Sequence, residues 1–182
     1  MELRGAGRKA FLQDQFQGMV LQATVQRAHI YAGDAVEPER NAFRAELRKR
    51  LDKISAQYDG AITDRRHVSN IEYLADSISE RCRSALRGGR FRIGPAQKAL
   101  NLHLKYLWCA GWIEHPPHCP FDYYVISELR LKRPPSWMRL DSSGEYMELV
   151  DAARLAAGAQ SIAEWELAAY ARLSPAAARG AR

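Results

Sequence analysis

Lys98 and Asp122 are the two residues of this chain best suited to covalent or acid–base chemistry. A lysine amine becomes a nucleophile once it sheds its proton. A carboxylate in a dry site stabilises a developing cation or orients a water. Asp122 follows Pro120-Phe121 and stands where a helix begins, a position that favours a carboxylate both as a cap and through the helix dipole. As a simple cap it needs no function. Lys98 falls in a helix expected from Pro95 to about Gly111, where Ala96, Ala99, Leu100, Leu104, Leu107 and Trp108 recur at helical spacing. Gln97, Asn101 and Lys105 share one stripe of that helix, with Lys98 beside it. A helix apolar nearly all round is buried, and polar groups in a core are costly unless paired. The stripe is therefore expected to line a cleft; the alternative is that Lys98 and Lys105 snorkel to the surface.

A turn precedes this helix. Gly88-Gly89 is expected to end the preceding helix, and Gly94-Pro95 to start the next. Arg87, Arg90 and Arg92 surround it, and backbone N–H groups at a helix N-terminus flanked by arginines suit phosphate. An ordinary corner with solvated arginines explains the same residues. A proline-rich connection, Glu114-His115-Pro116-Pro117-His118-Cys119-Pro120-Phe121, then leads to Asp122.

Glycine turn, helix with an early lysine, proline-rich connection and Pro-x-Asp opening a helix together resemble the helix-hairpin-helix superfamily of DNA glycosylases, with the archaeal oxoguanine-type branch the nearest in pattern. The likeness covers Gly88 to Val125, about a fifth of the chain. Two features depart from the family's pattern: Gly94-Pro95 replaces the usual Gly-x-Gly, and Lys98 sits deeper in its helix. The resemblance implies that Gly94 and its arginines hold DNA phosphates, that Lys98 attacks the sugar carbon, and that Asp122 stabilises the cationic sugar. Gln97-Lys98, Asn101 and Pro117-His118-Cys119-Pro120 are also similar to bacterial anti-phage glycosylases that remove glucosylated hydroxymethylcytosine from viral DNA. On that reading Gln97, Asn101, Lys105 and His118 bind substrate. Tyr123 and Trp108 are candidates to stack on the flipped base, as are Trp112 and Tyr124, though such aromatics are more often core.

The remaining elements must support this segment. Its 182 residues and 47% hydrophobic content suit one helical domain. Residues 8–86 are expected to supply supporting helices, 87–133 the hairpin and active-site segment, and 134–182 the C-terminal helices. Residues 9–32 read as a helix broken at Gly33-Asp34. Pro38 opens a second, with Phe43, Leu47, Leu51, Ile54 and Tyr58 on one stripe and Arg44, Arg48, Lys49, Arg50 and Lys53 on a solvated face. Asp64 is the expected cap of a third, which carries His67 as a core or cap residue. Tyr123 to Leu129 reads as helix, although its composition also permits a strand. Ser142-Ser143-Gly144-Glu145 and Ser161-Ile162-Ala163-Glu164 resemble capping boxes. The end after Ser174 is expected to fray. The fold class is thus all-α, a compact multi-helix bundle with a helix-hairpin-helix-like element.

Charge narrows the partner. The formal charge is +6 and the pI about 9.4, a modest bias toward an anion. From Arg81 to Ile113 there are seven Lys or Arg and no Asp or Glu, which concentrates that bias around the turn. Duplex DNA, with modified phage DNA in anti-phage defence as the narrower expectation, is the expected partner, bound by a monomer that leaves an abasic site or, through Lys98, a nick. A non-enzymatic helical DNA-binding module of a defence or regulatory complex is the rival, and an RNA-binding helical protein a third reading. No run approaches a membrane span. The start lacks a signal-peptide pattern and three cysteines, Cys82, Cys109 and Cys119, form no secretory pairing, so a cytoplasmic location is expected. Cys109, His115, His118 and Cys119 fit no standard zinc spacing, and neither metal nor cofactor is expected.

Overall fold

The computed structural model describes residues 2–173. Among them the chain forms seven α-helices and no strand: α1 Glu2–Ala28, α2 Glu37–Ser55, α3 Asp64–Arg81, α4 Ile93–Cys109, α5 Tyr123–Glu128, α6 Ser143–Ala157 and α7 Ile162–Leu173. No helix among the described residues is long and apolar enough to cross a membrane. The expected fraying after Ser174 lies outside the described residues.

The bundle is built around α4. Its residues from Ile93 to Leu107 are buried at nearly every position, as an all-round apolar helix requires. It packs most extensively against α1 and α3, and also against α2 and α6. The stripe of α2 behaves as its spacing predicts: Phe43, Leu47, Leu51 and Ile54 are buried. On its outer face Arg44 pairs with Glu37, Arg48 with Asp14 and Arg50 with Glu46, so the arginines of that basic run are offset by nearby acids, while Lys49 and Lys53 stay exposed.

Three local expectations are corrected. The cap of α3 is Thr63, whose side chain accepts from the Arg66 N–H at 3.3 Å; Asp64 is the first helical residue and its carboxylate turns elsewhere. Helix α1 ends at Ala28, before Gly33-Asp34, with His29 in a left-handed conformation at φ 46°. Helix α3 ends at Arg81, well before Gly88-Gly89, and two single 3-10 turns follow. The segments that follow the two early endings meet each other. The chain at 30–32 and the chain at 85–87 exchange backbone hydrogen bonds, Ala32 N–H to Ala85 O at 3.0 Å and Arg87 N–H to Ile30 O at 2.8 Å. Backbone groups paired between these segments are not available to extend a helix. The two glycines take φ of 64° and 68° in the second turn, a conformation that other residues adopt only with strain.

The C-terminal helices open as expected. Ser142 and Glu145 form a reciprocal capping box on α6, and Ser161 and Glu164 make the same exchange on α7. The segment after Asp122 is helical, so α5 settles the choice against a strand.

Gly94 has a packing role. A Cβ on Gly94 would lie 1.7 Å from the Trp137 carbonyl oxygen, and its N–H donates to Leu140 O at 3.0 Å. The chain at 137–140 therefore seals the start of α4. The expected phosphate cradle at Gly94 is closed, because the one N–H it would offer is already used and the residue is buried. Gly94→Ala is expected to lose about 1–3 kcal/mol of stability through forced backbone displacement. Urea unfolding measures this, and an unchanged midpoint would show that the 137–140 segment yields freely.

Candidate active site

Adjacent residues of α4 hold adjacent residues of the proline-rich connection. Gln97 is fully buried and grips Phe121 twice: its Nε2 donates to Phe121 O at 2.7 Å, and its Oε1 accepts from the Phe121 N–H at 3.1 Å. One residue further on, Lys98 Nζ stands 3.3 Å from Asp122 Oδ2. The amide clamp fixes the backbone, and the ion pair follows from it.

Asp122 divides its carboxylate between two tasks. Oδ1 caps α5, accepting from the Tyr124 N–H at 3.0 Å and the Val125 N–H at 3.2 Å. Oδ2 faces Lys98. The ammonium of Lys98 also lies 4.5 Å from the centre of the Trp137 ring, a cation–π contact in a site only 5% exposed. Snorkelling does not describe this lysine. Both residues line a cavity of about 640 Å³ between α1, α4, α5 and α7. Its other walls include Tyr124, Tyr106 and Tyr170, Gln22 and Gln26 of α1, and Glu166 of α7.

Glu166 is the site residue that sequence reasoning missed. It is 3% exposed and receives Lys105 Nζ on both oxygens, at 2.9 and 2.6 Å. Burial pushes its carboxyl above the usual range, Lys105 opposes this, and the charge of Asp122 adds to the rise. Two lysine–carboxylate pairs thus border one cavity. Lys98 and Lys105 are seven residues apart on α4 and so share a face. The signal for Glu166 was present: Ile162, Ala163 and Ala169 are the buried positions of α7, and Glu166 lies in the middle of that stripe.

The remaining stripe residues lie behind the site. Asn101 donates to Gln97 Oε1 at 3.3 Å and to the Tyr146 hydroxyl at 3.1 Å, and its Oδ1 faces His67 Nε2 at 2.8 Å. His67 Nδ1 meets the Tyr58 hydroxyl at 2.7 Å. His118 Nδ1 meets the Tyr146 hydroxyl at 2.7 Å and its Nε2 meets Asp64 Oδ1 at 3.2 Å. The network assigns the protons. Asn101 Oδ1 can only accept, so His67 carries its proton on Nε2 and takes the Tyr58 hydroxyl hydrogen on Nδ1. Tyr146 accepts from Asn101 and donates to His118, which leaves the His118 proton on Nε2, facing Asp64. Both imidazoles are neutral, and burial lowers the pKa of each, that of His118 to about 4.

The structure therefore brings Lys98 and Asp122 together on the cavity, and it corrects the assignment of Gln97, Asn101 and His118 to substrate contact. All three are buried with their hydrogen bonds turned inward, because α4 packs its polar stripe against the connection and α6 and leaves no cleft there. Lys105 meets Glu166, and Trp108 is half-buried on α4 away from the cavity lining. Tyr123 is 69% exposed and packs edge-on against Tyr124 at the start of α5. Arg87 and Arg92 are exposed, and Arg90 pairs with Asp141 at 2.7 Å. His118 and Cys119 are buried while Cys109 and His115 are exposed, and among the described residues no three potential ligands gather to hold a metal.

No family model, no curated protein and no solved structure matches this chain. The functional reading therefore rests on the site itself and on the motif resemblance.

The histidines make stability pH-dependent. His103 is fully buried, and neither ring nitrogen finds a partner among the described residues; burial takes its pKa down to about 4. In the unfolded chain histidine titrates near ~6.5. Between the two values the unfolded state binds more protons, so stability falls as pH drops from about 6.5 to about 4 and is flat above. For His103 and His118 the loss is on the order of 3 kcal/mol each. His103→Leu is expected to unfold at the wild-type denaturant concentration or higher at neutral pH, and to lose clearly less on acidification. Equal acid sensitivity would remove His103 from this account.

Proposed function

We propose that the protein is a DNA glycosylase that flips a modified nucleotide into the cavity and releases its base. The observation that carries this reading is the Lys98–Asp122 pair on the wall of a cavity of about 640 Å³. That volume lies in the range of small-ligand sites and exceeds what an unmodified base needs, so a substituent on the base has room. Asp122 caps α5 on either reading, and its second oxygen at the wall of a cavity favours the enzyme over the non-enzymatic module.

The chemistry follows from the two side chains. As the N-glycosidic bond lengthens, its electron pair leaves with the base and positive charge builds on the sugar. Asp122 Oδ2 stabilises that charge and orients the attacking water, while Oδ1 stays fixed by the start of α5. The water oxygen bonds to the anomeric carbon, one of its protons ends on the departing base, and an abasic site remains. Base flipping requires unstacking, which is least costly at a damaged or modified pair. In the lyase variant the Lys98 amine replaces water as nucleophile. Its proton passes first to Asp122, 3.3 Å away, and the Schiff base that forms sets up strand cleavage. Glucosylated hydroxymethylcytosine of phage DNA is the proposed substrate class, with oxoguanine as comparison.

The test quantifies free bases and abasic sites by mass spectrometry after incubation with duplexes carrying each modification and with unmodified DNA. Asp122→Asn retains a helix-capping side chain and is expected to lower release by at least about a hundredfold, the scale of one lost transition-state contact. Wild-type turnover in Asp122→Asn would overturn the assignment. Lys98→Ala is expected to abolish nicking and borohydride trapping of the protein on DNA; trapping that persists would take Lys98 out of the covalent role. Binding without release from every duplex would favour the non-enzymatic module.

A further inference from the structure

The glycosylase reading needs a surface that holds the DNA backbone, and Gly94 does not supply it. Among the described residues, exposed cations without a side-chain partner gather elsewhere. Residues 129–140 run Leu129-Arg130-Leu131-Lys132-Arg133-Pro134-Pro135-Ser136-Trp137-Met138-Arg139-Leu140, with no acidic residue. The apolar members anchor this strap: Trp137 and Leu140 are buried, and Leu129, Leu131 and Met138 pack partly against the core. Arg130, Lys132, Arg133 and Arg139 are all exposed, and among the described residues none has a side-chain partner. This contrasts with α2, where Arg44, Arg48 and Arg50 each pair with an acid.

Both ends of the strap are tied to the site. Its start continues from α5, whose cap is Asp122. Its end places Trp137 under the Lys98 ammonium. Two further bonds staple it onto the turn before α4: Gly94 N–H to Leu140 O at 3.0 Å, and Arg90 to Asp141 at 2.7 Å. These bonds bring the Arg139 end of the strap to the turn that carries Arg87 and Arg92, whose exposed side chains have no partner among the described residues. Two acid-free basic segments, far apart in sequence, meet at one end of α4. Arg130 is held at φ 50°, where a glycine would sit without strain, so its charge is kept at a conformational cost.

We propose that the 130–139 strap, together with Arg87 and Arg92, grips the phosphates of duplex DNA beside the Lys98–Asp122 cavity. This rests on the glycosylase reading for its partner, and it replaces the helix-hairpin contact by a two-segment surface. Phosphate neutralisation releases counterions, so the grip is read in the salt dependence of binding.

The experiment measures anisotropy of a labelled, unmodified duplex over a KCl series for the full chain. In Lys132→Gln/Arg133→Gln the slope of log affinity against log salt is expected to fall by about 2 units, close to one per phosphate contact. Arg87→Gln/Arg92→Gln is expected to match it. Lys49→Gln/Lys53→Gln removes the same charge from exposed positions of α2 and is expected to leave the slope unchanged. All these side chains are exposed, and unfolding midpoints check that the variants fold. Strap and α2 variants with equal slopes would overturn the proposal, since net charge alone would then explain binding. Base release by the wild type is read separately. Strap-dependent binding without release leaves the grip standing and removes the glycosylase, whereas a wild type that binds no duplex overturns both.

Discussion

The double hydrogen bond from the Gln97 amide to the Phe121 backbone is the contact on which the site depends. A proline-rich connection has few backbone donors and cannot stabilise itself by helix or sheet bonds. Here its last residue before the site is held on both its N–H and its carbonyl by one side chain that is itself fully buried. Replacing that amide by an apolar group would strand two backbone polar groups in the core, each costing about 1–3 kcal/mol. Because Lys98 follows Gln97 on a rigid helix and Asp122 follows Phe121 on the chain, fixing the first pair fixes the second.

Behind the clamp lies a polar core that runs from Tyr58 through His67, Asn101 and Tyr146 to His118 and Asp64. Every step has a compatible donor and acceptor, which is the condition under which a buried polar network stabilises a unique arrangement. The network ties α3, α4 and α6 together at the level of Gln97 and supports the clamp from the rear. Burial holds both histidines neutral against the opposing pull of Asn101 on His67 and of Asp64 on His118, so the interior behind the site carries no histidine charge at neutral pH. His103, by contrast, is buried without partners among the described residues, and nothing in the fold accounts for a histidine there.

The front of the site is charged but balanced. Lys98–Asp122 and Lys105–Glu166 set two cations of α4 against carboxylates from α5 and α7, and each pair is worth more as a specific geometry than as net stability. The placement of the carboxylates differs in accessibility: Asp122 retains partial exposure to the cavity, with 26% of its side chain accessible, and Glu166 retains 4%. Asp122 is thus the carboxylate a ligand in the cavity can reach, while Glu166 chiefly holds Lys105 in place.

Much of this was legible in the sequence by itself. The stripe of α2, the capping boxes of α6 and α7, the burial of α4 and Asp122 as a cap are local consequences of residue spacing, and spacing survives folding. Lys98 and Asp122 also stood out by residue type and position, and the fold sets them 3.3 Å apart on the cavity wall. Helical spacing tells which residues share a face, but not what that face will meet. Gln97 and Asn101 share a stripe with Lys105, yet the first two meet a backbone segment and a buried tyrosine while Lys105 meets a glutamate 61 residues away. Gly94 looks like a hairpin glycine until the chain at 137–140 is laid across it. The early ends of α1 and α3, the pairing of Glu166 and the meeting of the two basic segments likewise depend on contacts between distant parts of the chain. Those were decided only by the tertiary structure, because a polar group's role is set by the partner that reaches it, and that partner is chosen by packing.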